Sequence, residues 1–336
     1  MIRVNIALAA NAPYFPGLFA TACSIAMYAA NDSCLNFYIL DGGIETDNFN
    51  LLESALKRLH ANTTIYKIII SENDVRFSRF QRWHGNTLAY ARLLLPELLP
   101  SEDFIIYCDV DFLWMRDITE LWNMRRDNIS FIGVKDPGYF SMLQERDWYK
   151  RHGYEFDREN YFCSGLSFLN LKYFRIHRFL EKCFEFLAKY DDLNFPDQTA
   201  LNVVTYGTTL LVDPCWMIFS YALKLSDCRN GCVIHYVNAT PWTKRAVTRV
   251  FRFVDIVPDT SLIWYKLYAK ARDESLLKSI ARFIRFDKYL RGRIAFNILA
   301  SRIVKMTLSL FASLNICRVG IKYYLGFLNK TRLARI

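Results

Sequence analysis

At 336 residues the chain can bury a large core, as one big domain or a domain with an appendage. Nine cysteines, odd in number and scattered through apolar runs, argue against a disulfide framework and for a reducing compartment. The net charge of +10 is unevenly placed: residues 266–336 hold sixteen Lys/Arg and three acids, +13, which leaves the first 265 residues at −3.

The amino-terminal run goes straight into a strand-like stretch and lacks the charged region, long apolar core and cleavage site of a signal peptide, so a cytoplasmic protein is expected. Strands are predicted over Val4–Ala9, Leu35–Leu40, Thr64–Ile70, Phe104–Cys108, Phe131–Val134, Ser164–Asn170, Leu210–Val212 and Cys232–Tyr236. Helices are predicted over Gly17–Ala30, Asn48–His60 and Leu88–Leu99, with a turn at Asp41-Gly42-Gly43 and a polar loop at Tyr154–Asn160. Strand alternating with helix predicts an α/β fold with a parallel, doubly wound sheet.

From Asp273 to Arg335 the pattern changes. Apolar residues recur at three-to-four spacing among cations, as in Leu276, Leu277, Ile280, Phe283 and Ile284, which predicts basic amphipathic helices. The longest uncharged stretch, Met306–Cys317, is well short of the roughly 20 apolar residues that span a bilayer. A helical region lying on an anionic membrane surface is expected, beside the plainer reading of a helical subdomain with a solvated basic face. Nucleic acid is the weaker partner, because the aromatics fall on the apolar stripe instead of interleaving with the cations.

The chemistry is densest at Phe104–Trp114. Four apolar or aromatic residues read as a strand buried on both faces, and Asp109 and Asp111 follow at its carboxyl end. In extended backbone, residues two apart share a side, so both carboxylates are expected to face one spot at the edge where α/β sheets bind ligands. Two hard oxygen ligands there suggest Mg²⁺ or Mn²⁺ carrying a diphosphate, and the alternative is a solvated turn with two helix-capping aspartates. His235, ending the run Cys232-Val233-Ile234, would complete an O/N site that suits Mn²⁺. Cys228 and Cys232 with His235 offer zinc only three ligands, so a turn at Asn230-Gly231 is the preferred reading.

In order along the chain stand Ala9-Ala10-Asn11-Ala12-Pro13-Tyr14, Tyr90-Ala91-Arg92-Leu93, Tyr107-Cys108-Asp109-Val110-Asp111, Asp136, Tyr161-Phe162-Cys163-Ser164-Gly165, Asn170-Leu171, Pro196-Asp197-Gln198 and His235-Tyr236. With these blocks the chain resembles the retaining glycosyltransferases of family 8, over its first two thirds, to about Lys244. The resemblance implies a GT-A fold, a single Rossmann-like domain with a mixed, mainly parallel sheet, and use of a UDP-hexose. It divides the chain into a nucleotide-sugar domain over residues 1–250 and a basic helical, membrane-associating appendage over 251–336.

By the same resemblance, Asp109, Asp111 and His235 match the metal ligands. Tyr14 matches an aromatic that stacks on uracil, and Asn11 stands where a uracil-binding Asp is usual. Arg92 matches an arginine touching sugar and phosphate, Asp136 and Asp197 match donor-sugar binders, and Gln198 matches the residue beside the anomeric carbon. Ala10, Val110, Cys163, Gly165, Asn238 and Lys244 complete the donor site, and Gln198, Asp197 and Arg92 are the expected catalytic set. Three departures stand out: Asn11 for Asp, Cys163 where Asn is common, and a segment after His235 one residue shorter, with Thr240 before Pro241 and Lys244 or Arg245 as substitute cations.

The implied reaction transfers galactose or glucose from a UDP-sugar to a hydroxyl of a lipid-linked, lipopolysaccharide- or lipooligosaccharide-type acceptor at the cytoplasmic face of the inner membrane. The resemblance favours front-face attack through an oxocarbenium-like transition state. Two other readings stand beside it: a metal-dependent nucleotidyltransferase, and a non-catalytic protein binding UDP-sugars or membranes.

Overall fold

The computed structural model describes residues 1–71, 74–82, 87–223, 227, 230–237, 240–242 and 260–274. The chain divides into two compact units, one of residues 1–222 with 226–237 and one of residues 223–225 with 238–336.

The first unit opens with β1 (Ile2–Ala10), α1 (Phe15–Tyr28), β2 (Ser33–Asp41), α2 (Thr46–Leu59) and β3 (Thr63–Ile69). A 3₁₀ turn over Leu88–Leu94 leads into α3 (Leu95–Leu98), then β4 (Phe104–Cys108), β5 (Phe112–Trp114), α4 (Ile118–Trp122), β6 (Phe131–Lys135) and α5 (Tyr139–Arg151). It closes with β7 (Phe162–Asn170), α6 (Leu171–Ile176), α7 (Phe179–Lys189), α8 (Pro196–Val204), β8 (Thr209–Val212), β9 (Ile218–Phe219) and β10 (Val233–His235).

Seven strands form one sheet in the order β3-β2-β1-β4-β7-β6-β8, and β5, β10 and β9 form a small second sheet. In the large sheet β7 pairs antiparallel with both neighbours while every other pairing is parallel, so the sheet is mixed and mainly parallel. This is the α/β architecture expected of the sequence. All nine residues of β7 are buried, and so is most of β1, which is why both read as near-continuous apolar runs. At the edge, β3 leaves Tyr66 and Ile69 exposed.

Every strand predicted from the sequence is present, with ends displaced by at most two residues. Leu88–Leu99 is not one α-helix. Pro96 cannot donate the N–H that a continuing helix needs, and it sits at the start of the short α3, where that donor has no partner anyway. Strands β5 and β9 were not anticipated, because three and two residues show no periodicity. Helix α7 was legible but unread: Phe179, Leu180, Cys183, Phe186 and Leu187 lie buried at helical spacing. Gly231, at the expected Asn230-Gly231 turn, has φ +76°, and a Cβ there would stand 3.1 Å from the Met115 carbonyl oxygen.

In the second unit, α9 (Thr260–Ala271) carries Trp264, Tyr265 and Tyr268. Trp264 stacks on Tyr268 and tilts against Trp242, and the Tyr265 hydroxyl donates to the Pro241 carbonyl. The basic amphipathic region from residue 275 onward, and Cys228, Asn238, Lys244 and Arg245, lie outside the described residues. Among the described residues no helix is long and apolar enough to cross a membrane.

Asn170-Leu171 proves architectural. The buried Asn170 side chain caps α6 by accepting from the Tyr173 N–H at 2.9 Å, and its amide reaches the carbonyls of Arg126, Asp127 and Ile129 at 3.1–3.3 Å. Asn170→Ala removes the cap and strands buried acceptors, so it should cost about 2–4 kcal/mol. Urea unfolding followed by fluorescence checks this.

Candidate metal centre and its surroundings

The strand β4 ends at Cys108, and the backbone has left the sheet at Asp109 and turns at Val110 and Asp111 before β5 begins. The two carboxylates therefore converge through a turn, not through the extended geometry expected of them. Two elements hold that turn. The Asp109 N–H donates to the Gly165 carbonyl on β7 at 2.8 Å. The buried Thr21 hydroxyl on α1 reaches the carbonyls of Val110 and Phe112 at 2.9 and 2.7 Å.

His235 arrives by strand pairing. β10 runs antiparallel to β5 with His235 opposite Phe112, and the Tyr236 N–H donates to the Asp111 carbonyl at 2.8 Å. The imidazole stacks on the Phe112 ring, centroids 4.1 Å apart, which fixes its plane. One ligand-type atom from each of Asp109, Asp111 and His235 lies within 4.8 Å of the others. Asp111 Oδ1 and His235 Nδ1 are buried and make no hydrogen bond among the described residues. Asp111 Oδ1 lies 3.3 Å from His235 Nε2, and a carboxylate and an imidazole this close, with buried atoms left without a hydrogen bond, fit a divalent cation.

Gly165 leaves room for this cluster. A Cβ on it would stand 3.0 Å from His235 Cε1 and 3.1 Å from both Asp109 Oδ2 and Phe112 Cε2.

Beside the cluster sits a buried cation. Arg92 is 4% exposed. Its Nη2 donates to Asp109 Oδ1 at 2.6 Å, its Nη1 to the Ser164 carbonyl at 2.6 Å, and its Nε to the Ala89 carbonyl at 3.0 Å. Nη1 also lies 3.3 Å from Asp197 Oδ2, and the guanidinium covers the Tyr107 ring at 4.3 Å. Burial pushes the Asp109 carboxyl up to about 6 against the pull of Arg92.

Asp197 and Gln198 open α8. The Ser164 hydroxyl donates to Asp197 Oδ2 and its N–H to Gln198 Oε1, both at 2.9 Å. Gln198 Nε2 donates to Asp136 Oδ2 and to the Tyr161 hydroxyl, both at 3.0 Å. Asp136 also accepts from the Gly138 N–H at 2.7 Å, and burial raises its carboxyl despite these bonds. Cys163 is buried, and burial raises its thiol well above the usual range.

Ala10 ends β1 on the edge that β4 shares, two residues beyond the Leu8–Cys108 pair. Asn11 follows with its buried Oδ1 unbonded among the described residues, and Tyr14, 42% exposed, closes a 3₁₀ turn after it.

Residues 5–246 match Glycosyl transferase family 8. The chain belongs to that family. It is 26% identical over 201 residues to general stress protein A of Bacillus subtilis, covering 56% of this chain and 64% of that one, a little under two thirds of the relative's length. It is 25% identical over 272 residues to the lipopolysaccharide 1,2-glucosyltransferase of Escherichia coli, covering 77% of this chain and 78% of the enzyme. Its fold superposes on the galactosyltransferase LgtC, solved with donor and acceptor sugar analogues, at TM-score 0.64 and 24% identity, covering 80% of this chain and 96% of that one.

The structure gathers Asp109, Asp111 and His235, and ties Arg92, Asp136, Asp197 and Gln198 to them through hydrogen bonds. Sequence reasoning gave no role to Tyr107, Ser164, Tyr161 or Phe112, which hold this constellation. Tyr107, Tyr161 and Ser164 stand within the family's blocks, and Phe112 directly follows Asp111.

Gly165→Ala should weaken Mn²⁺ binding about tenfold or more, because the added methyl crowds His235 and Asp109. Calorimetric titration with Mn²⁺ reads this directly.

Proposed function

We propose that this glycosyltransferase moves a hexose, galactose or glucose, from a UDP-sugar to a hydroxyl of a lipopolysaccharide- or lipooligosaccharide-type glycan, with retention of configuration. The observation that carries the reading is the convergence of Asp109, Asp111 and His235, two of them with unbonded buried atoms, against the Arg92–Asp197–Gln198 network. The lipopolysaccharide glucosyltransferase of Escherichia coli, matched over 77% of this chain, supports the acceptor class.

A divalent ion, Mn²⁺ or Mg²⁺, held by Asp109, Asp111 and His235 would neutralise charge developing on a leaving diphosphate. Tyr14 presents an exposed ring for the base, and Asn11 Oδ1 offers an acceptor for the uracil N–H in place of a carboxylate. Arg92, fixed and always charged, stabilises negative charge on the donor phosphate. Asp136 and Asp197 hold the sugar hydroxyls: each carboxylate has lone pairs beyond those its protein partners use. Ala10, Val110, Cys163 and Gly165 are the proposed lining of the donor site, to which the family resemblance adds Asn238 and Lys244 from the sequence after His235. Gln198 is a weak nucleophile, and its carbonyl oxygen supports the oxocarbenium-like centre while the acceptor attacks from the same face.

The test is UDP release from a panel of UDP-sugars with Mn²⁺, with and without EDTA, beside Asp111→Asn, an isosteric change that spares the Arg92 pair. Turnover should fall about a hundredfold or more with EDTA and in Asp111→Asn. Pyrophosphate release from nucleoside triphosphates would assign the site to nucleotidyl transfer instead, and turnover indifferent to EDTA would remove the metal from the mechanism.

Residues 1–250 are the proposed transfer domain and residues 251–336 the region that rests on the anionic inner membrane, where a lipid-linked acceptor is presented. The support is the charge of +13 carried by residues 266–336. Replacing the Lys and Arg residues of Lys278–Arg293 by Glu should release the protein from anionic vesicles in a sedimentation assay, while unchanged binding would end this assignment.

A further inference from the structure

A cavity of about 560 Å³ opens between the loop that follows α5 and the turn that follows α8. Its lining includes none of the metal ligands, nor Arg92, Asp136, Asp197 or Gln198. Sites for small ligands commonly span about 300–1,000 Å³ and pair aromatic walls with a few polar groups. Here Tyr149, Tyr161 and Phe162, all buried, supply the floor, and Tyr206 stands at the rim, 61% exposed.

Both sides of this cavity are fixed by hydrogen bonds. The turn that carries Tyr206 is pinned by hydroxyls: Thr205 donates to the Leu201 carbonyl at 2.8 Å, Thr208 donates to the Thr205 carbonyl at 2.9 Å, and Ser130 meets Thr208 at 2.7 Å. Gly207 completes the turn at φ +77°, where a side chain would be strained. The Tyr206 ring is thus held in place, yet it packs on no other ring among the described residues. Across the cavity, Asp157 accepts from the Glu159 and Asn160 N–H groups at 2.9 and 3.3 Å and from Asn160 Nδ2 at 2.6 Å. The Asn160 amide, above all, holds that carboxyl below the usual range. Beneath the floor the buried Glu145 on α5 accepts from the Thr199 hydroxyl on α8 at 2.7 Å, joining the two helices whose ends flank the cavity.

The chemistry of the lining selects a ligand. Aromatic rings offer apolar faces, Asp157 has lone pairs to spare, and Asn160 Oδ1 and its second N–H make no bond among the described residues. A cation would use the rings and the carboxylate but waste the amide donor. A pyranose uses all of them: its C–H face packs on a ring, and its adjacent hydroxyls both donate and accept. The cavity also adjoins the reacting residue. Gln198 Nε2 donates to the Tyr161 hydroxyl at 3.0 Å, and Gln198, Asn202 and Tyr206 recur at four-residue spacing along α8 and the turn after it. At 1.5 Å per residue, Tyr206 lies roughly 12 Å along that axis from Gln198.

We propose that this cavity is a saccharide subsite, holding a sugar of the acceptor glycan other than the one that receives the hexose. This rests on the reading of the protein as a transferase to a glycan. Contacts made equally before and during reaction lower KM and leave kcat alone, so the subsite acts on acceptor affinity.

The experiment compares the unaltered protein with Tyr206→Ala, Tyr206→Phe and Asn160→Ala. Binding of lactose, maltose, deacylated lipopolysaccharide core oligosaccharide and choline is followed by NMR without Mn²⁺ or UDP, and acceptor KM, donor KM and kcat are measured with the core oligosaccharide. At least one saccharide should bind, about tenfold more weakly in Tyr206→Ala and Asn160→Ala and within about threefold in Tyr206→Phe, which keeps the ring. Acceptor KM should rise about tenfold in Tyr206→Ala, with kcat and donor KM within about threefold. No saccharide binding, unchanged affinity in Tyr206→Ala, or equal losses in Tyr206→Ala and Tyr206→Phe overturns the subsite. Choline binding that depends on Tyr206, with no saccharide bound, makes the cavity a cation site and overturns it too. If nothing is transferred from any UDP-sugar while a saccharide still binds through Tyr206, the proposed reaction falls and the saccharide site stands.

Discussion

A guanidinium taken out of water must be surrounded by negative charge and carbonyl oxygen, or the fold cannot hold it. Arg92 meets that demand with Asp109 on one side, Asp197 on the other, and the carbonyls of Ser164 and Ala89 between them. Four parts of the chain are thereby tied to one side chain: the 3₁₀ turn that carries it, the end of β4, the start of β7 and the start of α8. Asp109 belongs both to this pairing and to the ligand cluster, so the cluster and the Asp197–Gln198 network cannot move independently. The contact with the Tyr107 ring adds a cation–π attraction beneath the same group.

The reversed strand makes the arrangement possible. Parallel strands deliver only their carboxyl ends to one edge of the sheet, and each must cross over to return. Because β7 runs the other way, its beginning reaches that same edge, placing Cys163, Ser164 and Gly165 against the turn that follows β4. The small β5–β10 pairing then brings His235 from a distant part of the chain to within reach of Asp111. Site and scaffold use the same backbone hydrogen bonds, which accounts for the burial of nearly every residue involved.

Fold and site were unequally legible in the sequence. The long buried strands declared themselves as apolar runs, and their alternation with helices gave the fold class. The Asp-Val-Asp run marked the cluster by residue type, though the geometry that joins it is a turn. What was not legible were contacts carried by short or unremarkable elements. The three residues of β5 have no period, yet they align His235. Ser164 reads as any small polar residue, yet its hydroxyl, N–H and carbonyl hold Asp197, Gln198 and Arg92 in turn. Glu145 stands in a helix whose exposed neighbours are charged, so nothing in the local pattern announced that it is buried. Such roles depend on which elements meet, and a linear pattern does not contain that information.

Gly165 has an implication for descent. Its missing side chain serves no positive φ and no tight turn; it serves the space between His235, Asp109 and Phe112. A lineage that abandoned the cation, and with it His235 and Asp109, would lose most of the reason for that gap, and with smaller neighbours a methyl could fill it. The residue at this one strand position would then serve as a historical marker, separating descendants still constrained by an ion from those released from it, even where Asp111 persists by chance.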